Sequence, residues 1–281
     1  TPAIAVDDEG NIYTASVSDQ NQSMFNVRQL GVDQMYGVGR GSHPGNNLVV
    51  TKVNKDGEVQ WVWELRAVEG VGGETHGWWR DIAVAPDGTV HVAGWYRGLG
   101  HAWYWQPGDE PRESTLNNGG ALVDGDWIMP EKFNQINGQW IAVNPDGTTK
   151  WIKQLHSTGA SYFHSVDVND QGDVLLAGRY TGWTRFNMNA DPSNPNLWTE
   201  RCRYACPYIT KHRANGSNAW SHRYNHCNKP NHSGIWDAKF LKDGRVAAVG
   251  GYTGTPIWQC QTGGSSPSVE IKGAYSANSI G

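Results

Sequence analysis

One pattern of two β-hairpins is written three times along the 281-residue chain and begun a fourth time. Its first half is a short apolar strand, a tight turn ending in glycine, and a second apolar strand. It reads AIAV-DDEG-NIYTAS from Ala3, DIAV-APDG-TVHVAG from Asp81, SVDV-NDQG-DVLLAG from Ser165 and DAKF-LKDG-RVAAVG from Asp237. The turn glycine stands seven residues after the first residue each time, at Gly10, Gly88, Gly172 and Gly244, with a period of 72 to 84 residues. The second half is VVTKV-NKDGEVQW (Val49 to Trp61), WIAV-NPDGTTKW (Trp140 to Trp151) and YITKH-RANGSNAW (Tyr208 to Trp220). There a Trp follows four residues after the Gly, as in Gly57/Trp61, Gly147/Trp151 and Gly216/Trp220. Self-similarity at this period marks a repeat architecture.

Short β-branched runs bounded by Asp/Asn-Gly punctuation are hairpin strands, because Gly supplies the positive φ that such turns need. Two hairpins make a four-stranded antiparallel unit that cannot bury both faces alone. Radial packing of several units buries those faces, which is the β-propeller solution. The expected fold class is therefore all-β, a β-propeller of four-stranded antiparallel blades. Three repeats are complete (about 3–80, 81–164 and 165–236) and a fourth is partial (237–281), and 281 residues fit a single domain. Ala3 to Val6, Asp81 to Val84, Ser165 to Val168 and Asp237 to Phe240 are expected to be the innermost strands, lining a common axis. The fourth copy lacks the Gly-x-x-x-Trp pair, so the native polypeptide is expected to continue, or closure to use another chain; a four-bladed ring with a degenerate last blade is the third alternative.

The run KWIKQLHSTGASYFHSVDVNDQGDVLLAGRYTG resembles the bacterial β-propeller repeat family, whose pattern is roughly W-x-K-x-L, a spacer, then IAVD-x-x-GNVYVTG. The resemblance covers most of the chain outside the long loops. It implies a secreted or surface-displayed module and names no activity. The chain departs from the family in its longer loops and its 15 tryptophans. The Gly-x-x-x-Trp strands also resemble those of quinone-dependent dehydrogenase propellers, which is the enzymatic alternative.

A net charge of −4 gives no electrostatic argument for nucleic acid or an anionic membrane. No run approaches the roughly 20 apolar residues of a membrane-spanning helix. The chain begins with Thr, as a processed or excerpted chain does, and an extracellular or cell-surface location is expected. Asn21, Asn215 and Asn231 open glycosylation triplets.

With the strands of each repeat taken as A to D in chain order, every A–B and C–D turn is tight. The B–C loops are long, at about Val17 to Asn46, Trp95 to Gly138 and Arg179 to Ala205. The D–A loops run from about Arg66 to Arg80, His156 to His164 and Asn225 to Trp236. In a propeller both sets lie on one face, so the sequence invested beyond the scaffold decorates that face, where function concentrates. These loops carry Trp78, Trp79, Trp95, Tyr96, Trp103, Tyr104 and Trp105, which read either as a contact surface or as lids over a satellite core. Trp61, Trp151 and Trp220, held in scaffold register, read as core.

Cys202, Cys206, Cys227 and Cys260 map to the decorated face, and an even count in a secreted chain argues for two disulfides of undetermined pairing. The rival is zinc on Cys202, Cys206, His222, His226 and Cys227, although the spacing matches no standard ribbon. Asn187, Asn189, Asp191 and Asn194 offer oxygen ligands of the kind calcium takes, or an ordinary Asn/Pro turn. The Asp-x-x-Gly-like segments read as turns. No catalytic motif stands out, and no cofactor is expected. The expected function is that of a non-enzymatic interaction or assembly module acting through its long-loop face on a protein partner or on copies of itself. A carbohydrate-binding propeller using the loop Trp and Tyr is the alternative.

Overall fold

The computed structural model describes residues 2–18, 24–29, 32–37, 47–67, 76–97, 100–106, 112–113, 136–186, 188, 201–225, 233–251 and 257–261. Among them the chain is all-β, with antiparallel ladders and no helix. The first repeat forms β1 (Ala3–Val6), β2 (Ile12–Ser18), a hairpin of β3 (Met24–Gln29) and β4 (Val32–Gly37), then β5 (Asn47–Val53) and β6 (Val59–Ala67). The second contributes β7 (His76–Val84), β8 (Val90–Arg97), β9 (Gly100–Trp105), β10 (Arg112–Glu113), β11 (Asn137–Val143) and β12 (Thr149–Leu155). The third holds β13 (Ser161–Val168), β14 (Val174–Gly182), β15 (Cys202–His212) and β16 (Asn218–Asn225). The fourth gives β17 (Gly234–Phe240), β18 (Val246–Gly251) and β19 (Ile257–Gln261).

Each complete repeat builds one four-stranded sheet, β1-β2-β5-β6, β7-β8-β11-β12 or β13-β14-β15-β16, and β17-β18 form a fourth, two-stranded sheet. The tight turns are those expected. In the first, Gly10 (φ 84°) donates its N–H to the Asp7 carbonyl, and Asp7 Oδ1 accepts from the backbone of Glu9 and Asn11. An Asx side chain thus bonds the turn it opens, while the glycine takes the left-handed conformation.

The four sheets pack face to face in chain order. Tyr13, Leu48, Val50 and Trp63 of the first meet Ile82, Val90, Val92 and Ile141 of the second. Ala93, Trp140 and Trp151 of the second meet Phe163, Val166 and Leu176 of the third. Leu175, Ala177 and Ile209 of the third meet Ala238 and its neighbours in the fourth. Strand β11 is buried along its whole length because both faces of its sheet are covered. The recurring Trp has a defined role in this stacking. Trp61 Nε1 donates at 2.9 Å to the carbonyl of Pro145, in the C–D turn of the next sheet, and Trp151 packs beside Gly216 in the C–D turn after that. Trp220 is only partly buried; no C–D turn of a fourth sheet stands opposite it among the described residues.

Five strands run where loops were expected, β3, β4, β9, β10 and β19, and the last three leave their own repeat, β10 by pairing with β9. β9 extends the first sheet by pairing with β6, from Val62 opposite Trp105 to Ala67 opposite Gly100. β19 extends the third sheet by pairing with β16. The scaffold strands are also longer than the sequence motif. β6 runs on to Ala67 and β7 starts at His76, β14 reaches Gly182, and β15 starts at Cys202. The extra residues include alternating aromatic and β-branched side chains, which suit a half-buried pleat.

Candidate functional site

The strands that open the four repeats are each the first strand of their sheet, and they lie against one another in turn, β1 on β7, β7 on β13 and β13 on β17. β7, β13 and β17 carry the same irregularity. Trp79 pairs with Gly94 and Asp81 with Ala93, leaving Arg80 as an extra residue. His164 and Trp236 are the extra residues between Phe163/Ser165 and Ile235/Asp237. Such a bulge turns its side chain out of the ladder's alternation. It also presses the carbonyls of Trp78, Tyr162 and Gly234 onto Gly94, Gly178 and Gly250, where any β-carbon would collide with them. The glycine ending VAG, LAG and AVG in the repeats is the sequence mark of this bulge.

Around the bulges a single line of rings crosses three sheets. Trp78 stacks on its cross-strand partner Trp95 at 6.4 Å, and Trp95 meets Tyr162 edge-on at 6.0 Å. Tyr162 stacks on His164 at 6.1 Å, and His164 contacts Trp236 at 4.8 Å. The Arg179 guanidinium lies 4.7 Å from the Tyr162 ring centre and 5.9 Å from that of Trp236. Trp78 and Trp236, at the ends of the line, are 39% and 44% exposed. Burial, together with the charges of Arg179 and Arg80, pulls the His164 pKa down to about 4, so its ring is neutral at pH 7.

One layer further along β7, β13 and β17, Ser165 Oγ lies 2.8 Å from Asp237 Oδ1 and 3.1 Å from Asp81 Oδ2. Asp81 also accepts from the Val166 N–H at 3.0 Å. Burial raises the Asp81 pKa despite that bond and the nearby Lys239. Lys239 pairs with Asp167 at 3.4 Å, and Asp167 accepts from the Phe240 N–H at 2.7 Å. The first strands of three repeats, β7, β13 and β17, are thus joined by polar side chains, with hydrogen bonds and ion pairs used within the layer.

The aromatic candidates divide. Trp78 and Trp95 belong to the ring line. Trp79 and Tyr96 are each 1% exposed and sit in the core between the first two sheets, so they are not surface residues. The reason is strand alternation, since Trp78 and Trp79 are neighbours on β7 and point to opposite faces. Trp103 and Tyr104 stand on β9, half-buried, with Tyr104 packed on that core, and not in a loop. The Trp105 backbone pairs with Val62, and its side chain is outside the described residues. Tyr162, His164, Arg179 and Trp236 were missed; their signal was a fixed offset, one to three residues before the motif that opens each repeat or just after the recurring glycine.

Cys202 and Cys206 are bonded to each other with Cα atoms 6.0 Å apart, and both are buried. They span the point where β15 bulges opposite Thr181, so the bridge pins an irregular strand. Their sulfurs are thereby removed as zinc ligands, and among the described residues no group of three or more His, Cys, Asp or Glu is placed to hold a metal. His222 is buried on β16 opposite the Cys260 backbone, and the Cys260 side chain, Cys227 and His226 lie outside the described residues. So do Asn187, Asn189, Asp191 and Asn194.

Between the second and third sheets, His91 accepts from Trp140 Nε1 at 3.2 Å, and His212 lies against the other side of the cluster, 4.9 Å from the Trp140 ring. Burial holds both pKa values down to about 3. Lys153 caps Trp140 and Trp151 at 5.4 and 5.0 Å and donates to the Gly216 carbonyl, with its pKa lowered to about 8 by burial. These groups serve packing. No protein-family model matches the chain, and no curated protein matches it.

Proposed function

We propose that the chain is an extracellular β-propeller acting as a non-enzymatic binding module through the face where its inner strands begin. The propeller reading is supported by recurrence. Each inner strand is a sheet edge set against the next inner strand, three of them share one bulge, and polar bonds link them. Ile4 and Val6 at one end of the row are 68% and 61% exposed, and Val249 at the other end is 62% exposed. Further blades of a ring would cover such positions, whether supplied by this polypeptide or by another chain. The resemblance of Lys150 to Gly182 to bacterial propeller repeats fits this reading. A buried disulfide is compatible with an oxidising compartment. No helix among the described residues is long and apolar enough to cross a membrane.

The observation that carries binding is the line of rings from Trp78 to Trp236. Rigid aromatic area with exposed ends is costly to leave in water and efficient to use in contact. A line only one ring wide, interrupted by Nε1 of Trp95 and Nε2 of His164, which are unbonded among the described residues, favours a glycan over a broad protein interface. The test is a glycan array together with sedimentation of the free chain, comparing wild type with Trp78→Ala/Trp236→Ala. Loss of an array or self-association signal at unchanged thermal stability supports the reading. Signals untouched by the double substitution overturn it.

A further inference from the structure

Resting on that binding reading, we infer that the ring line takes a carboxylate-bearing saccharide, a uronic-acid oligosaccharide, with Arg80 and Arg179 holding the acid group. Three observations converge. The first is uncompensated charge. Arg80 is exposed, and Arg179 is half-buried with only its Nε fully covered, so its Nη edge remains open. Neither arginine has a hydrogen bond or a carboxylate partner among the described residues. The nearest acids along the inner strands, Asp81 and Asp237, are turned to Ser165, one layer away. Arg80 and His164 hold the same bulge position on the adjacent strands β7 and β13, and Arg179 lies over Tyr162, two residues from His164, so both guanidinium groups belong to one stretch of the ring line and give it positive potential.

The second observation is what surrounds that charge. Arg179 is held over Tyr162 and beside Trp236, so its planar fork is pre-positioned by the rings it covers. A guanidinium fixed in this way suits bidentate capture of a carboxylate better than a mobile lysine would. The third is polarity between the rings. Trp95 Nε1 and His164 Nε2 have no hydrogen-bond partner among the described residues, so the line alternates flat apolar faces with unused polar atoms. A saccharide presents C–H faces and hydroxyls in that same alternation, and a uronic acid adds the anion. A simple phosphate or sulfate would use the arginines and leave the rings idle.

The experiment is calorimetric titration of the chain with tetragalacturonic acid, with its fully methyl-esterified counterpart, and with inorganic phosphate. The acid form is expected to bind, and the ester about tenfold or more weakly, since a charge-assisted bidentate bond is lost. Arg80→Gln, a surface change, and Arg179→Lys, which keeps the charge and loses the fork, are each expected to weaken the acid form by about tenfold. Trp236→Ala should weaken acid and ester alike. Equal binding of acid and ester overturns the anion assignment and leaves a neutral-glycan module standing. Competition by phosphate at the affinity of the tetramer reduces the site to a bare anion hole and overturns the saccharide. If no uronic saccharide binds while the Trp78/Trp236 substitutions still abolish another array or self-association signal, this inference fails and the binding reading survives. If they abolish nothing, both fail.

Discussion

Gly178 lies directly under the carbonyl oxygen of Tyr162, so closely that a β-carbon at 178 would overlap it. The contact is made by the bulge at His164, and the bulge sets Tyr162 in the ring line. Gly178→Ala is therefore expected to cost about 2–4 kcal/mol, through forced backbone movement in a packed strand. Gly57→Ala, where φ is 86° but no atom lies within 4 Å of the added carbon, should cost only about 1 kcal/mol. Urea melts of the two variants test the account, and equal losses contradict it.

The repeated tryptophans are not equivalent. Trp61→Phe removes the bond to the Pro145 carbonyl and is expected to cost about 1–2 kcal/mol. Trp61→Ala should cost about 3–5 kcal/mol, as for other buried aromatics. Trp220→Ala, at a partly buried position, should cost clearly less than Trp61→Ala in the same equilibrium unfolding measurement.

Acid should weaken the fold from about pH 6.5 downward, above the range in which ordinary carboxylates titrate. His91 and His212 are held near pKa 3 in the folded chain, against an ordinary value near 6.5. Above pH 6.5 both states are neutral and the two residues contribute no pH dependence. Between pH 6.5 and 3 the unfolded chain takes up protons that the folded chain refuses, so stability falls as pH falls. Each of these two can contribute up to about 1.4 kcal/mol per pH unit in that window. His156 and His164, lowered to about 4, act in the same sense, and Asp81, raised, acts against them. A stability curve that is flat from pH 6.5 to 4.5 would disprove the buried-neutral assignment.

The disulfide closes a short loop, so its chain-entropy contribution is small. Replacing both Cys202 and Cys206 with Ala should cost about 2 kcal/mol by loop-closure arithmetic, plus packing. Mass spectrometry after alkylation without reductant should find neither thiol labelled in the native chain.

The hairpin grammar and the order of the strands in each sheet were legible because Asx-Gly turns and alternating apolar runs act over a few residues. Tight turns at Gly10, Gly88, Gly172 and Gly244 follow from local chemistry alone. The ring line was half legible. Trp78 and Trp95 stand out as aromatic, but the separation of Trp78 from buried Trp79 depends on strand register at a position that reads as loop in sequence. His164 and Arg179 look like unremarkable polar residues in sequence. They become members of the line only because the bulge shifts the ladder and the third sheet packs beside both neighbours. The destination of β9 and β19 was not legible, since their partners belong to a preceding repeat and no local signal names them.

That exchange of strands has a mechanical meaning. Tension between the first sheet and the second must break the β6–β9 ladder as well as pull the two apolar faces from each other, because β9 is covalently joined to the second repeat. The third and fourth repeats are tied in the same way through β16 and β19. In an ordinary solenoid each repeat meets its neighbour only across an interface. Here, opening the second repeat strips an outer strand from the first and leaves β6 as a raw edge, open to templating foreign strands. Damage to one repeat is inherited by the one before it.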